Sequence, residues 1–377
     1  MPLSKIKTNS VADEVFKAGS NLIINGAMQV AQRGTSAVAA GSGTYPSLDR
    51  FKAWDNSSGA YTVEQSTTAP VGFTTSLKAQ VTTADTSLSG AEYAQLSQQI
   101  EAQNLQHLAY GTSDAKTVTL SFHVRSNKTG SYSISIYKSD ATIYLFSKSY
   151  TINSADTWEK KTITITPTAG STSFITSAAG AIANDNGIGF YVFWNLAQGS
   201  AYQTATDNTW SSNTSHYSDT NQVNWMDSTS NNFYLTGVQL EVGEVATPFQ
   251  HEDIGTTLAR CQRYYYRSPT PNGGMSANET FPCVGNMDGT QTGAYMIQFP
   301  IPMRSAPTAF EQSGTASDYS IRVTSDANGT SVPTAGGFTA ENAIINLISS
   351  GAGFTSGQAA FMRAESTDAF LAFSAEL

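Results

Sequence analysis

At 377 residues, with 40% hydrophobic, 11% aromatic and 13% charged side chains, the chain is too apolar to stay disordered and too sparsely charged for a coiled coil or helical repeat. A formal net charge of −9 repels polyanions and no Lys/Arg cluster offsets it, which argues against nucleic acid as the main ligand. No apolar run approaches the roughly 18–20 residues that span a bilayer, and none follows Lys5 and Lys7, so neither membrane insertion nor signal-peptide export is expected.

Residues 1–20 scatter Leu3, Ile6, Val11, Val15 and Phe16 among charges. Val11 and Val15 share a helical face, but a helix this short is marginal alone, so the segment reads as an arm ordered by a partner. Strand patterning begins at Asn21. Tyr93–Ile100 is expected as a strand followed by a short helical turn at Ala102–Leu108. Thr117–Val124 alternates with period two, as do Tyr132, Ile134 and Ile136. With Ser126–Gly130 supplying turn residues between them, the pattern predicts an antiparallel hairpin. Phe190–Leu196 is apolar on both faces, as in a central strand sandwiched between layers.

Residues 202–232 form a long polar stretch planted with aromatics, a length at which loops are usually functional or flexible. Phe233–Val242 is the next strand, and a domain boundary is placed at 253. A second, smaller β-sandwich is expected over 254–377, with strands at Cys261–Tyr266, Tyr295–Ile301, Tyr319–Val323, Ala343–Ile348 and Phe370–Phe373, the last tying the end of the chain into a sheet. The fold class is all-β. Cys261 and Cys283 lie twenty-two residues apart without zinc-type spacing; two structural thiols and a single bridge both fit.

Several segments taken in order carry a resemblance. Asn21–Met28, Gln32–Thr35 and Asp49–Phe51 resemble the opening of a jelly-roll domain similar to carbohydrate-binding modules. Gln98–Leu108, Val118–Ser126, Ala183–Gly187, Thr236–Gly243, Ala246–Phe249 and Leu258–Tyr266 resemble the fibre-type proteins of marine bacteriophages. Met1–Ser10 resembles the virion-anchoring arm of such fibres, and Met303–Thr308 extends the likeness weakly beyond residue 266. The resemblance implies a non-enzymatic virion component with a jelly roll over 21–253. It would assemble as a homotrimer, dock to a tail adaptor or other virion protein through residues 1–20, and bind host surface polysaccharide. A purely structural fibre without a ligand and a glycan-cleaving tailspike are the competing readings.

Sugar C–H faces stack on flat aromatic rings while amides and carboxylates fix hydroxyls. Trp210, Tyr217 and Trp225 in the long loop, with Trp54, are therefore the glycan-binding candidates. Trp210 and Trp225 could equally be plugs that pin the loop or bury against a neighbouring copy, and Trp54 is balanced between core and surface. Trp194 reads as core and Trp158 as edge packing. The jelly-roll resemblance also raises a structural calcium, for which Asp49, Asp185 and Glu241 could supply oxygens. The alternatives are that Glu241 pairs with an arginine such as Arg50 and that Asp185 caps a turn.

Enzymatic signals are few. His107, His123, His216 and His251 have no metal-pair spacing, and there is no Gly-x-Ser-x-Gly elbow, phosphate loop or internal period. Arg263-Tyr-Tyr-Tyr-Arg267 mixes stacking and basic residues but reads as an aromatic strand at a domain junction.

Overall fold

The computed structural model describes residues 21–269, 276–350 and 353–377. The anchoring candidates Leu3, Ile6, Val11, Val15 and Phe16 lie outside the described residues. The chain divides into two compact units.

The first unit opens with β1 (Val38–Ala39), β2 (Ser42–Thr44), β3 (Lys52–Asp55), β4 (Ala60–Ser66), β5 (Ser76–Thr83) and β6 (Tyr93–Glu101). There follow β7 (Val118–Ser126), β8 (Gly130–Lys138), β9 (Tyr144–Ile152), β10 (Glu159–Ile165) and β11 (Ile188–Gln198). The short β12 (Gln203–Thr204), β13 (Thr209–Ser211) and β14 (Ser218–Asp219) precede the long β15 (Asn232–Val242). A six-stranded sheet of order β1-β4-β5-β15-β7-β10 faces a seven-stranded sheet of order β13-β9-β8-β11-β6-β3-β2, making a jelly-roll β-sandwich. Ring contacts cross the core between the sheets: Phe122 meets Trp194 edge-on at 6.1 Å, and Tyr132 meets Phe233 at 5.8 Å. As expected, β6 runs straight into a 3-10 turn at Ala102–Leu108, and β11 is the middle strand of its sheet.

The expected hairpin does not form. β7 pairs with β10 and β15, whereas β8 pairs with β9 and β11, so the turn between them crosses from one sheet to the other. Local periodicity is the same in both cases; what differs is that the two apolar faces meet across the core. The crossing is held by Ser126 Oγ donating to Asn232 O and Asn127 Nδ2 donating to Ser230 O at 3.1 Å. Gly130 turns the chain at φ +128°, where a Cβ would also lie 2.5 Å from Val223.

The second unit begins at Asp253 and also takes in Val30–Ser36 and Ser47–Arg50. It opens with α1 (Ile254–Gln262), where a strand through Cys261 was expected. Asp253 caps this helix, accepting from Gly255 N at 2.9 Å and Thr256 N at 3.3 Å, and the apolar run Tyr264–Tyr266 that suggested a strand begins only after it. The remaining elements are β16 (Tyr265–Ser268), β17 (Val284–Met287), β18 (Thr292–Gln298), β19 (Ala309–Gln312), β20 (Tyr319–Arg322), β21 (Asp326–Asn328), β22 (Thr334–Phe338), β23 (Asn342–Ile348), β24 (Ala359–Ala364) and β25 (Leu371–Ser374). They form a three-stranded sheet, β16-β25-β19, and a seven-stranded sheet, β21-β20-β24-β17-β18-β23-β22. Tyr295, Ile297, Phe299, Tyr319, Ile345, Met362 and Phe373 are among the residues that fill the core. Cys261 and Cys283 are both free and buried.

The two early segments are locked into this unit by buried charge. Arg50, fully buried, pairs with Glu376 and stacks over Tyr264; Arg33 reaches the same carboxylate at 3.3 Å and stacks over Tyr265. The RYYYR run is thereby absorbed into packing. Arg50 pairs with Glu376 and not with Glu241, contrary to the sequence expectation. Asp49 accepts from Gln32 N at 2.8 Å and from Gln32 Nε2, whose amide also donates to Tyr265 O at 2.7 Å. Burial pushes the Asp49 carboxyl up to about 6 despite the opposing Arg33 charge.

Removing Glu376 strands buried guanidinium charge, so Glu376→Ala should destabilise the second unit by about 3–5 kcal/mol in chemical denaturation. Asp49 binds its proton more tightly folded than unfolded. Its contribution is therefore fully present below the ordinary aspartate value and is lost as pH rises through about 6, a drop of about 3 kcal/mol. A pH series of denaturation curves should show this slope in the native protein and its absence in Asp49→Asn.

Candidate functional site

The pleat of β11 sorts its residues between two environments. Phe190, Val192, Trp194 and Leu196 point into the sandwich core, all with no exposed surface. Tyr191, Phe193 and Asn195 point to the outer face of the seven-stranded sheet. On that face Tyr191 sits beside Tyr137 of β8 and Gln99 of β6, Phe193 beside Ser135 and Ser97, and Asn195 beside Ser133 and Gln95. Trp54 of β3 is the cross-strand partner of Gln95.

These positions build a cavity of about 260 Å³ lined by Trp54, Tyr93, Gln95, Tyr137, Tyr191, Phe193, Tyr202 and Tyr217. The rings support one another. Tyr191 stacks on Phe193 at 5.5 Å and meets Tyr137 edge-on at 5.5 Å. Tyr217 stands edge-on to Phe193 at 5.4 Å and to Tyr202 at 5.9 Å, and Tyr202 edge-on to Tyr93 at 5.5 Å. The Trp54 indole donates to Ser97 Oγ at 2.8 Å, which orients its ring against Phe193. Phe193 and Gln95 are buried as the floor, and the remaining lining rings are partly exposed.

The wall formed by Tyr202 and Tyr217 comes from the long polar stretch, which is neither loose nor structureless. Asn195 holds it down: its Nδ2 donates to Tyr217 O at 2.8 Å and to Ser135 Oγ at 2.7 Å, and Ser135 Oγ itself donates to Tyr217 O at 2.7 Å. The Asn195 Oδ1 accepts from Gln95 at 3.0 Å and Gln198 at 2.9 Å. Burial raises the phenol pKa of Tyr93, Tyr137, Tyr191 and Tyr217, so these hydroxyls remain protonated donors across the neutral range. Among the described residues no charged side chain lines the cavity.

The sequence candidates divide. Tyr217 and Trp54 lie in the cavity wall. Trp210 and Trp225 are buried and present no ring to solvent. Trp210 packs on Phe146 at 5.4 Å and Tyr110 at 6.3 Å and donates to Thr166 O at 2.9 Å; Trp225 stands edge-on to Tyr61 at 5.6 Å. They are the plugs that anchor the stretch, because a long polar segment gains more from burying a large ring than from leaving it in water. Tyr93, Tyr137, Tyr191, Phe193 and Tyr202 escaped sequence reading. The available signal was the unbroken run Phe190–Trp194, whose second apolar face lines a cavity and meets no second layer.

Asp49, Asp185 and Glu241 do not make a metal site. Asp49 is occupied by Gln32; Asp185 accepts from Gly187 N at 2.8 Å and caps a turn; Glu241 accepts from Gln239 Nε2 at 2.9 Å, Thr247 N at 2.9 Å and Thr247 Oγ at 2.7 Å. Among the described residues no three His, Cys, Asp or Glu side chains converge to hold an ion.

Ser211 and His216 lie 3.2 Å apart, yet their hydrogen bonds run the wrong way for a nucleophile and base. Ser215 N donates to Asn213 Oδ1, which leaves Asn213 Nδ2 donating to His216 Nε2 at 2.8 Å. The ring proton then sits on Nδ1 and is donated toward Ser211 Oγ.

No family model matches the chain, and no curated protein matches it. Solved structures do. A Bacteroides thetaiotaomicron protein provisionally named as sugar-binding matches at 14% identity and a TM-score of 0.33, over 59% of this chain and 100% of its own. The family 22 carbohydrate-binding module of Clostridium thermocellum Xyn10B matches at 11% identity and 0.30, over 61% and 100%. The enzymatically active domain of bacteriophage CBA120 tailspike protein 4 matches at 12% identity and 0.31, over 59% of this chain and only 22% of that one.

Trp210→Ala and Trp225→Ala should each cost about 3–5 kcal/mol in urea denaturation, as truncations of core aromatics do. Trp54→Ala, at a partly exposed site, should cost far less.

Proposed function

We propose that the first unit binds a neutral surface glycan in the aromatic cavity, without catalysis. The observation that carries this reading is the lining itself: among the described residues, seven aromatic side chains and one amide, with no charged group, around about 260 Å³ on a rigid sheet face. Pyranose rings present an apolar C–H face that stacks on such rings, while their hydroxyls take hydrogen bonds from protonated phenols and the Gln95 amide. A glycosidase needs a pair of carboxyl groups flanking the bond it cleaves, and among the described residues the lining has none.

In the fuller proposal the chain is a phage virion fibre protein. It assembles as a homotrimer, docks through residues 1–20 to a tail adaptor or other virion protein, and presents the cavity to host polysaccharide. Support for this part is the resemblance of the sequence segments quoted above, and repetition of a weak site in several linked copies would raise avidity.

Isothermal titration of the purified chain with oligosaccharides released from host surface polysaccharide should show binding, and Tyr191→Ala and Trp54→Ala should each weaken it tenfold or more, about 1.4 kcal/mol. Unfolding midpoints should stay close to the native value. Because no lining group titrates near neutrality, affinity should be flat from about pH 5 to about pH 9. A folded protein that binds none of these sugars would overturn the proposal.

A further inference from the structure

The second unit's seven-stranded sheet has an outward face unlike the rest of this acidic chain. Register places Val284 of β17, Met296 of β18 and Ile344 of β23 side by side in one cross-strand row. The pairing of Gly285 with Ala360 and Asn286 with Ala359, continued one step, sets Phe361 of β24 next to Val284. All four are exposed: Phe361 49%, Val284 64%, Met296 45% and Ile344 45%, with Ile348 further along β23 at 44%. The alternate residues of the same strands, among them Met287, Tyr295, Ile297, Ile345 and Met362, fill the core. The strand pleat therefore sends large apolar side chains to both faces where a solvated sheet would send polar ones outward.

At its centre the same face carries no charge. Strands β17, β18, β22 and β23 contain no Asp, Glu, Lys or Arg; the positions around the row are Asn286, Thr292, Ala294, Gln298, Asn342 and Asn346. Charge returns on β24 and the strands beyond it, where Arg322, beside Phe361 in register, and Arg363, two residues further along β24, both pair with Asp326, at 2.8 and 2.7 Å. A charged hetero-partner would find nothing to pair with along the central row. A second copy of this chain is favoured, because contact here brings two net-acidic molecules together across a patch free of like charge. The size fits. Five strands about 4.8 Å apart, each with about six residues at about 3.4 Å, project on the order of 500 Å². Two such faces bury on the order of 1,000 Å², the lower bound for a specific interface.

We propose that this face is a contact between copies of the chain, with the row Phe361–Val284–Met296–Ile344 at its centre and the Arg322–Asp326 pair at its rim. An apolar centre with a polar rim is the general anatomy of a protein interface. A face that meets its own copy makes a two-fold contact, so it pairs copies separately from the three-fold assembly proposed above and does not depend on the glycan reading.

The test uses the full chain. In sedimentation velocity and light scattering the native protein should have a mass that is an even multiple of 40.1 kDa. Ile344→Lys and Met296→Lys, which place like charges opposite one another, should weaken association at least tenfold with unchanged unfolding midpoints. Because Cys261 and Cys283 are buried, Met296→Cys under mild oxidation should yield a disulfide between copies through the new thiol. A native protein that is monomeric at its highest soluble concentration overturns the proposal. So does an oligomer that survives both lysine substitutions and gives no cross-link at 296. Oligosaccharide binding per copy should be unaltered in Ile344→Lys, so failure of the contact and failure of the glycan site are read separately.

Discussion

The two-residue period of β11 is the constraint on which the first unit depends. One strand in the middle of a sheet supplies Phe190, Val192, Trp194 and Leu196 to the sandwich core and, from the intervening positions, Tyr191 and Phe193 to the cavity lining. A slip of one residue would send the core set outward and the cavity set inward, so the register that stabilises the fold also assembles the site. The flanking strands obey the same rule, which is how Trp54, Gln95 and Tyr137 reach the face from β3, β6 and β8 without any of them being near one another in sequence.

The third wall is set by a different device. Thirty residues of polar chain would cost too much entropy to order for a single weak contact. The structure spreads that cost over buried anchors: Trp210 and Trp225 sink into apolar surroundings, and Asn195 satisfies the backbone of Tyr217 from beneath. Large aromatics in a polar stretch thus serve two ends. The two tryptophans stabilise the stretch, and the tyrosines between and beside them meet the cavity.

In the second unit, buried charge fastens the early segments. Arg33, Arg50, Asp49 and Glu376 are drawn inward to secure segments distant in sequence, at a desolvation cost offset by ion pairs and ring stacking. The principal sheet face is left almost without charge, and its apolar residues stand outward. That combination places ion pairs in the interior and an apolar row on one sheet face.

Sequence patterning alone settled the all-β class, the strand-then-turn at 93–108, the central position of Phe190–Leu196 and the tie of the final strand into a sheet, because each follows from local periodicity and breaker residues. It also brought Tyr217 and Trp54 to notice as aromatics in need of a role. Which sheet β8 joins, where the early segments 30–36 and 47–50 pack, and which aromatics are walls and which are plugs were decided only by tertiary structure. Period-two alternation states that a strand has two faces but not what each face meets. For a run apolar on both sides, like Phe190–Trp194, the second face can meet a packed layer, a ligand cavity or another molecule, and only the placement of distant strands selects among them.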